Sequence, residues 1–290
     1  MSEALAALLD DIVAEEIAGW DAPSPAAVLV SAHGPVASSG PIDLVLPWAS
    51  VTKIVAALAV LDVVQQGRLA LDEPAGPAGS TVRHLLGHAS GLAFDSERVL
   101  AKPGSRRIYS NVGIDLAVEI AVGRAGARNA ASLLHERVLG PLGMGNTTLD
   151  GPASRGARGP VRDLAILARE LLVPRELAPA VVAAAVAPSF PGLAGVLPGF
   201  GRQDPNDWGL GVERRGHKSP HWMAPEAPPD CVGHFGQSGS FLWADPTLGL
   251  AAVAATGTPF GRWATDAWPR SSTRWRRAWR TGPPTTGDSS

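Results

Sequence analysis

The chain has 290 residues, 45% of them hydrophobic and 18% charged, with a formal net charge of −2. That hydrophobic share can fill the core of a large domain, and the near-neutral charge excludes broad attraction to nucleic acid or an anionic membrane. The expected partner is a small molecule.

The first predicted element is a helix over residues 3–19, where Leu5, Leu8, Leu9, Ile12, Val13 and Ile17 recur at helical spacing. Asp10, Asp11, Glu15 and Glu16 interrupt the same stretch, unlike the basic and then apolar start of a secretory signal, so a cytoplasmic location is expected. Residues 26–39 read as two short strands around His33-Gly34-Pro35. A second helix opens at Ser50, has an apolar body over 54–64 and stops at Gly67. Residues 70–200 are rich in helical patterns, at 80–88, 112–123, 129–139 and 162–172, separated by Gly and Pro. After Trp208 the period shortens: 231–235, 240–244 and 250–255 are strand-like, with Asp245-Pro246-Thr247-Leu248-Gly249 as a hairpin turn.

The strands therefore come from both ends of the chain, which predicts an α+β fold. Residues 1–48 plus 205–270 form a sheet domain, residues 49–204 a mostly helical insertion, and a cleft opens where they meet. The longest apolar runs, 54–61 and 181–186, fall far short of the roughly 20 residues that cross a bilayer, so no membrane span is expected. Cys231, the sole cysteine, reads as a small buried residue beside a strand.

Trp263 and Trp268 suit a last helix packed on the sheet, but after Pro269 come Arg270, Arg274, Trp275, Arg276, Arg277, Trp279 and Arg280. Three readings stay open there: a basic aromatic helix on a membrane surface or nucleic acid, a frayed and solvated end, or loss of the native reading frame near residue 270. The frayed end is preferred, giving a basic and then disordered tail over 271–290, of which 281–290 has no apolar face.

Three short motifs carry chemistry. Lys53, Lys102 and Lys218 are the only lysines among 25 basic residues, yet one stands three residues after a serine in Ser50-Val51-Thr52-Lys53. At that helical spacing the two side chains share a face, and a buried lysine can lose its proton and act as base toward a serine nucleophile. Arginine could not, because its guanidinium does not deprotonate. Tyr109, the only tyrosine, opens Tyr109-Ser110-Asn111. Its phenol can shuttle a proton, and the Asn111 amide can bind a substrate carbonyl while contacting Lys53. Third, His234-Phe235-Gly236 lies in an apolar strand ahead of Gln237-Ser238-Gly239-Ser240. Gly236 would let a substrate approach the backbone, and the N–H groups of Ser50 and Gln237 could form an oxyanion hole. His84/His88 and His217/His221 are spaced i, i+4 but lack the glutamate of an H-E-x-x-H zinc site, so no metal is expected.

The order S-x-x-K, Y-x-N, H-x-G, with the phrases Trp48-Ala49-Ser50-Val51-Thr52-Lys53, His84-Leu85-Leu86-Gly87-His88-Ala89-Ser90-Gly91-Leu92 and Gly233-His234-Phe235-Gly236-Gln237-Ser238-Gly239-Ser240, resembles the serine β-lactamase-related hydrolases and penicillin-binding-protein-like peptidases over residues 20–265. The likeness is to the class C branch, with D-alanyl-D-alanine carboxypeptidases and family VIII esterases. It implies a β-lactamase/transpeptidase-like fold, an antiparallel sheet flanked by terminal helices with an inserted helical domain. It also implies an acyl-enzyme on Ser50, shared acid–base duty for Lys53 and Tyr109, a substrate contact from Asn111, His234 in place of the lysine of K-T-G, and no cofactor. Phe235 departs from the pattern, standing where a Thr or Ser hydroxyl usually receives a substrate carboxylate. The expected function is hydrolysis of a small ester or amide, with a β-lactamase or D-Ala-D-Ala carboxypeptidase activity, or a non-catalytic sensor on the same fold, as alternatives.

Overall fold

The structure, a computed structural model, describes residues 2–281. Six strands form the main sheet: β1 (Ala26–Ser31), β2 (Gly34–Ser39), β3 (Glu213–Arg214), β4 (Val232–Gly236), β5 (Ser240–Asp245) and β6 (Leu250–Ala255). All neighbours are antiparallel, in the spatial order β2-β1-β6-β5-β4-β3, so chain-terminal segments meet side by side at β1 and β6.

Strands β1, β5 and β6 are buried along their whole length because the sheet is covered on both faces. Successive side chains on a strand point to opposite faces, and the cores divide accordingly. Val28, Val30, Leu242, Ala244 and Val253 join the core shared with the helices Thr52–Gln65 and Val161–Leu172. Leu29, Phe241, Trp243 and Ala252 belong to the core under the terminal helices Glu3–Ala18 and Arg262–Thr281. The Thr52–Gln65 helix runs through the interior, with every side chain from Thr52 to Leu61 buried. A helix apolar all round is the kind that can occupy such a place, and it carries Lys53 inside with it.

Elsewhere the predicted helices are redrawn in detail. Residues 80–88 supply a single turn, Val82–Leu86. The stretch 129–139 is Ala130–Leu134 followed by a π-helical turn, His135–Leu139. The helical region also holds Asn111–Ala125 and Pro179–Val186, and its short strands Ala157–Gly159 and Thr148–Leu149 form a separate small sheet with Leu46–Pro47.

The C-terminus corrects the sequence reading. Arg262–Thr281 is one helix with Pro269 inside it, in place of the expected frayed end. Its Trp268 and Trp275 are fully buried, and Ser271 and Ser272 accept the indole N–H groups of Trp20 and Trp243 at 3.1 Å each. Arg274 pairs with Glu16 at 2.9 Å, and Arg276 is bound to the buried Asp245. Arg270, Arg274 and Arg276 thus tie the helix to the first helix and the sheet, and Trp268 and Trp275 are spent on the core. The remainder of the expected tail, 282–290, lies outside the described residues. Among the described residues no helix is long and apolar enough to cross a membrane.

Candidate active site

Ser50 sits in a 3₁₀ turn, Ala49–Val51, that leads into the Thr52–Gln65 helix. The turn is held from several sides. Trp48 is buried; its indole N–H donates to Gly159 O at 3.0 Å and its backbone N–H to Ala157 O at 2.9 Å. Thr52 Oγ1 donates to Ala49 O at 2.5 Å and accepts the Ala157 N–H at 3.1 Å. Ala49 is fixed at φ +44°, a left-handed conformation that alanine rarely adopts and that anchored surroundings can maintain beside a functional residue.

Lys53 is fully buried, and its ammonium has three acceptors: Asn111 Oδ1 at 2.6 Å, Ser154 O at 2.9 Å and Ser50 Oγ at 3.0 Å. Burial pulls its pKa down to about 7; Arg155 pushes the same way, while Asp115 and Asp95 oppose. When the amine is neutral, two N–H bonds can still hold Asn111 and Ser154, which leaves the nitrogen lone pair for the Ser50 hydroxyl. The Asn111 amide nitrogen meanwhile donates to Asp95 Oδ1 at 2.8 Å. Asn111 is therefore placed first of all as a partner of Lys53.

Tyr109 faces the same amine, with Lys53 Nζ 4.7 Å from its ring centroid. His88, Trp208 and Phe94 surround the ring at 4.6, 5.7 and 5.9 Å between centroids. Burial pushes the phenol far above its ordinary pKa, a rise that a hydrogen bond with Ser50 only partly offsets, so the hydroxyl keeps its proton. Its contact with His234 Nε2 is 3.3 Å. His234 Nδ1 lies 2.7 Å from Phe235 O, and because a carbonyl only accepts, the imidazole proton is assigned to Nδ1. Nε2 is then left to accept from Tyr109. Burial, then the charge of Lys53, lowers the His234 pKa to about 3, so the ring is neutral near pH 7.

Strand β4 is pressed against the Ser50 turn. A methyl group on Gly236 would collide with Trp48 O and Ser240 Oγ, so glycine is needed here for backbone packing, a different reason from the substrate approach expected from the sequence. Ser240 Oγ donates to Trp48 O at 2.8 Å and Ser238 Oγ to Pro47 O at 2.7 Å, which fastens the β4–β5 turn to the Ser50 segment. Among the described residues the backbone N–H groups of Ser50 and Gln237 have no acceptor in the chain. Both residues line a cavity of about 240 Å³, together with Tyr109, His234, Phe94, Trp208, Phe235, Leu197, Pro198 and Glu213. The Phe235 ring packs on Phe260 and Trp222, with centroids 4.8 and 5.7 Å away.

All eight residues singled out in the sequence therefore gather at one place. The sequence reading missed Asp95, Ser154, Trp208 and Glu213, for Ser154 acts through its backbone carbonyl and the others come from segments without a recognisable motif. Of the paired histidines, His217 is exposed while His221 is buried, and among the described residues no group of three or more His, Cys, Asp or Glu that could hold a metal occurs.

The beta-lactamase family description matches residues 26–273. A crystal structure described as a beta-lactamase from Mycobacterium bovis is 46% identical, with a TM-score of 0.89 over 91% of this chain and 98% of that one. A penicillin-binding protein homolog from Caulobacter crescentus superposes with a TM-score of 0.72 at 20% identity, covering 93% of this chain and 97% of its own. EstCE1, described as a hydrolase with promiscuous acyltransferase activity, gives 0.72 at 17% identity over 96% and 98%. No curated protein sequence matches. The fold, the span of the family match and the 46% identity agree: the chain belongs to the beta-lactamase family.

Proposed function

We propose that the protein is a serine hydrolase that forms an acyl-enzyme on Ser50 and hydrolyses a small neutral ester or amide. The observation that carries the reading is the buried Lys53 amine, held by two other acceptors so that its third position meets Ser50 Oγ at 3.0 Å. In the first half-reaction Ser50 Oγ attacks the substrate carbonyl carbon and its proton passes to Lys53 Nζ. The N–H groups of Ser50 and Gln237 stabilise the oxyanion. As the bond to the leaving group breaks, that oxygen or nitrogen takes a proton relayed through the Tyr109 hydroxyl from Lys53. Water then attacks the acyl carbon, gives a proton back along the same groups and releases the acid, restoring Ser50–OH.

Phe235 adds no hydrogen-bond donor to the cavity, which favours a neutral acyl group. A second reading is beta-lactam hydrolysis, because the 46%-identical neighbour is described as a beta-lactamase. Short-chain p-nitrophenyl esters, a chromogenic cephalosporin and D-amino-acid amides, each assayed with wild type and Ser50→Ala, separate these readings. Ester turnover lost in the variant is expected; turnover that survives Ser50→Ala would refute the acyl-enzyme.

A further inference from the structure

Glu213 has no part in the mechanism above, yet it lines the same cavity and is completely buried. It lies on β3, paired with Gly233 just before His234, and a backbone bridge joins it to Trp208. Its Oε1 accepts from Lys218 Nζ and His221 Nε2, each at 2.9 Å, and its Oε2 from the Trp222 indole N–H at 2.8 Å. The Met223 N–H donates to His221 Nδ1 at 3.0 Å, which puts the imidazole proton on Nε2, facing Glu213. Lys218 is equally enclosed, with its other N–H groups on Asp207 O and Arg214 O.

An ion pair so deeply buried gains little stability over apolar residues of the same shape, because desolvation consumes most of its attraction. Its position suggests another use. Lys218 Nζ stands 5.7 Å from the Trp208 ring, and Trp208 packs on His234 at 5.4 Å and on Tyr109 at 5.7 Å between centroids. The pair also organises the irregular segment between β3 and β4, since Lys218, His221 and Trp222 all converge on one carboxylate.

We infer that Glu213 and Lys218 are positioning residues that act through Trp208 and His234 to hold the Tyr109 hydroxyl in line with Ser50. The inference rests on the acyl-enzyme reading. Neither residue touches the reacting atoms; their loss lets Trp208 shift and the phenol drift from its relay position, and a displacement near 1 Å can cost on the order of 10²-fold in rate.

The test is a coupling measurement with Glu213→Gln/Lys218→Met, which removes both charges and keeps an acceptor oxygen for the neighbouring N–H groups. Rates on a short-chain ester are divided by the fraction of Ser50 labelled by a fluorophosphonate, so that misfolded molecules drop out. The inference predicts roughly a 10- to 100-fold lower kcat per labelled serine with KM little changed. In a Tyr109→Phe background the same pair of changes should cost less than about 2-fold, because groups acting through one another are not additive. Equal losses in both backgrounds, or none in the first, overturn it. Should the pair not fold, Trp208→Phe interrupts the same path with the charges left in place and is judged by the same non-additivity. A wild type that fails to label at Ser50 would instead refute the acyl-enzyme reading itself.

Discussion

At Ser50 the outcome depends on which of two atoms holds one proton. Burial draws the Lys53 pKa down to about 7, so a neutral amine is available near neutral pH, and only that form can take the serine proton. For a neutral ester, kcat/KM should therefore rise with pH through about 7 and then level off, since the rate follows the deprotonated base. His234 stays neutral throughout that range and adds no second limb there. A flat profile from pH 5 to 9 would remove Lys53 from the mechanism. Lys53→Arg keeps the charge but supplies no base, and should lower kcat by on the order of 10³-fold or more. Tyr109→Phe keeps the ring among His88, Trp208 and Phe94 and deletes only the hydroxyl. Its kcat should fall by roughly 10²- to 10⁴-fold with little change in melting temperature. Both numbers come from steady-state kinetics on one ester, and an unchanged kcat in Tyr109→Phe makes that residue a packing group.

At the scale of elements, the site is an agreement between a helix start and a strand. Gly236→Ala would force β4 away from Trp48 and Ser240, so the Gln237 N–H should leave the oxyanion position. The variant is expected to lose activity by roughly 10²-fold or more, the order seen when one oxyanion donor is removed. Calorimetry alongside the kinetics checks this, and wild-type kcat in Gly236→Ala would argue against the close packing. The C-terminal helix gives a stability prediction. Trp275→Ala empties a fully buried indole site and should cost about 3–5 kcal/mol in urea unfolding. A loss under about 1 kcal/mol would restore the frayed end. The helix was readable in part: Trp268, Ser271, Ser272, Trp275 and Trp279 repeat at helical spacing. Pro269 and the arginines obscured it, because a sequence does not show that Glu16, on the neighbouring first helix, and Asp245, on the strand beneath, stand ready as partners. The same limit hid Ser154, which meets Lys53 only through a tertiary contact; Glu213 stands five residues from Lys218, but in an irregular segment with no period to mark the pair. By contrast Ser50–Lys53 lies within one helical turn, and His234–Ser240 within one hairpin, so their local geometry was legible.

Over the whole molecule, two cores on opposite faces of one sheet hold the site, and the buried cations Lys218 and Arg107 are already committed. Lys218 is held by Glu213 and two carbonyls, and the Arg107 guanidinium is spent on the carbonyls of Asn206, Gly87, Ser189 and Phe190. A substrate carboxylate entering beside Phe235 would give up hydrogen bonds to water worth about 1.5–3 kcal/mol each without replacement. The protein should accordingly prefer a short neutral ester over a cephalosporin or a peptide ending in a free D-alanine, by roughly 10- to 100-fold in kcat/KM per uncompensated bond. Comparable efficiencies would mean that another group receives the carboxylate. The most direct test of the account is mass spectrometry of the intact protein after a fluorophosphonate, followed by peptide mapping. The account predicts a single adduct on Ser50, formed more slowly below pH 7 and absent from Ser50→Ala. An unlabelled Ser50 in a preparation that still hydrolyses esters, or an adduct on another residue, would contradict it.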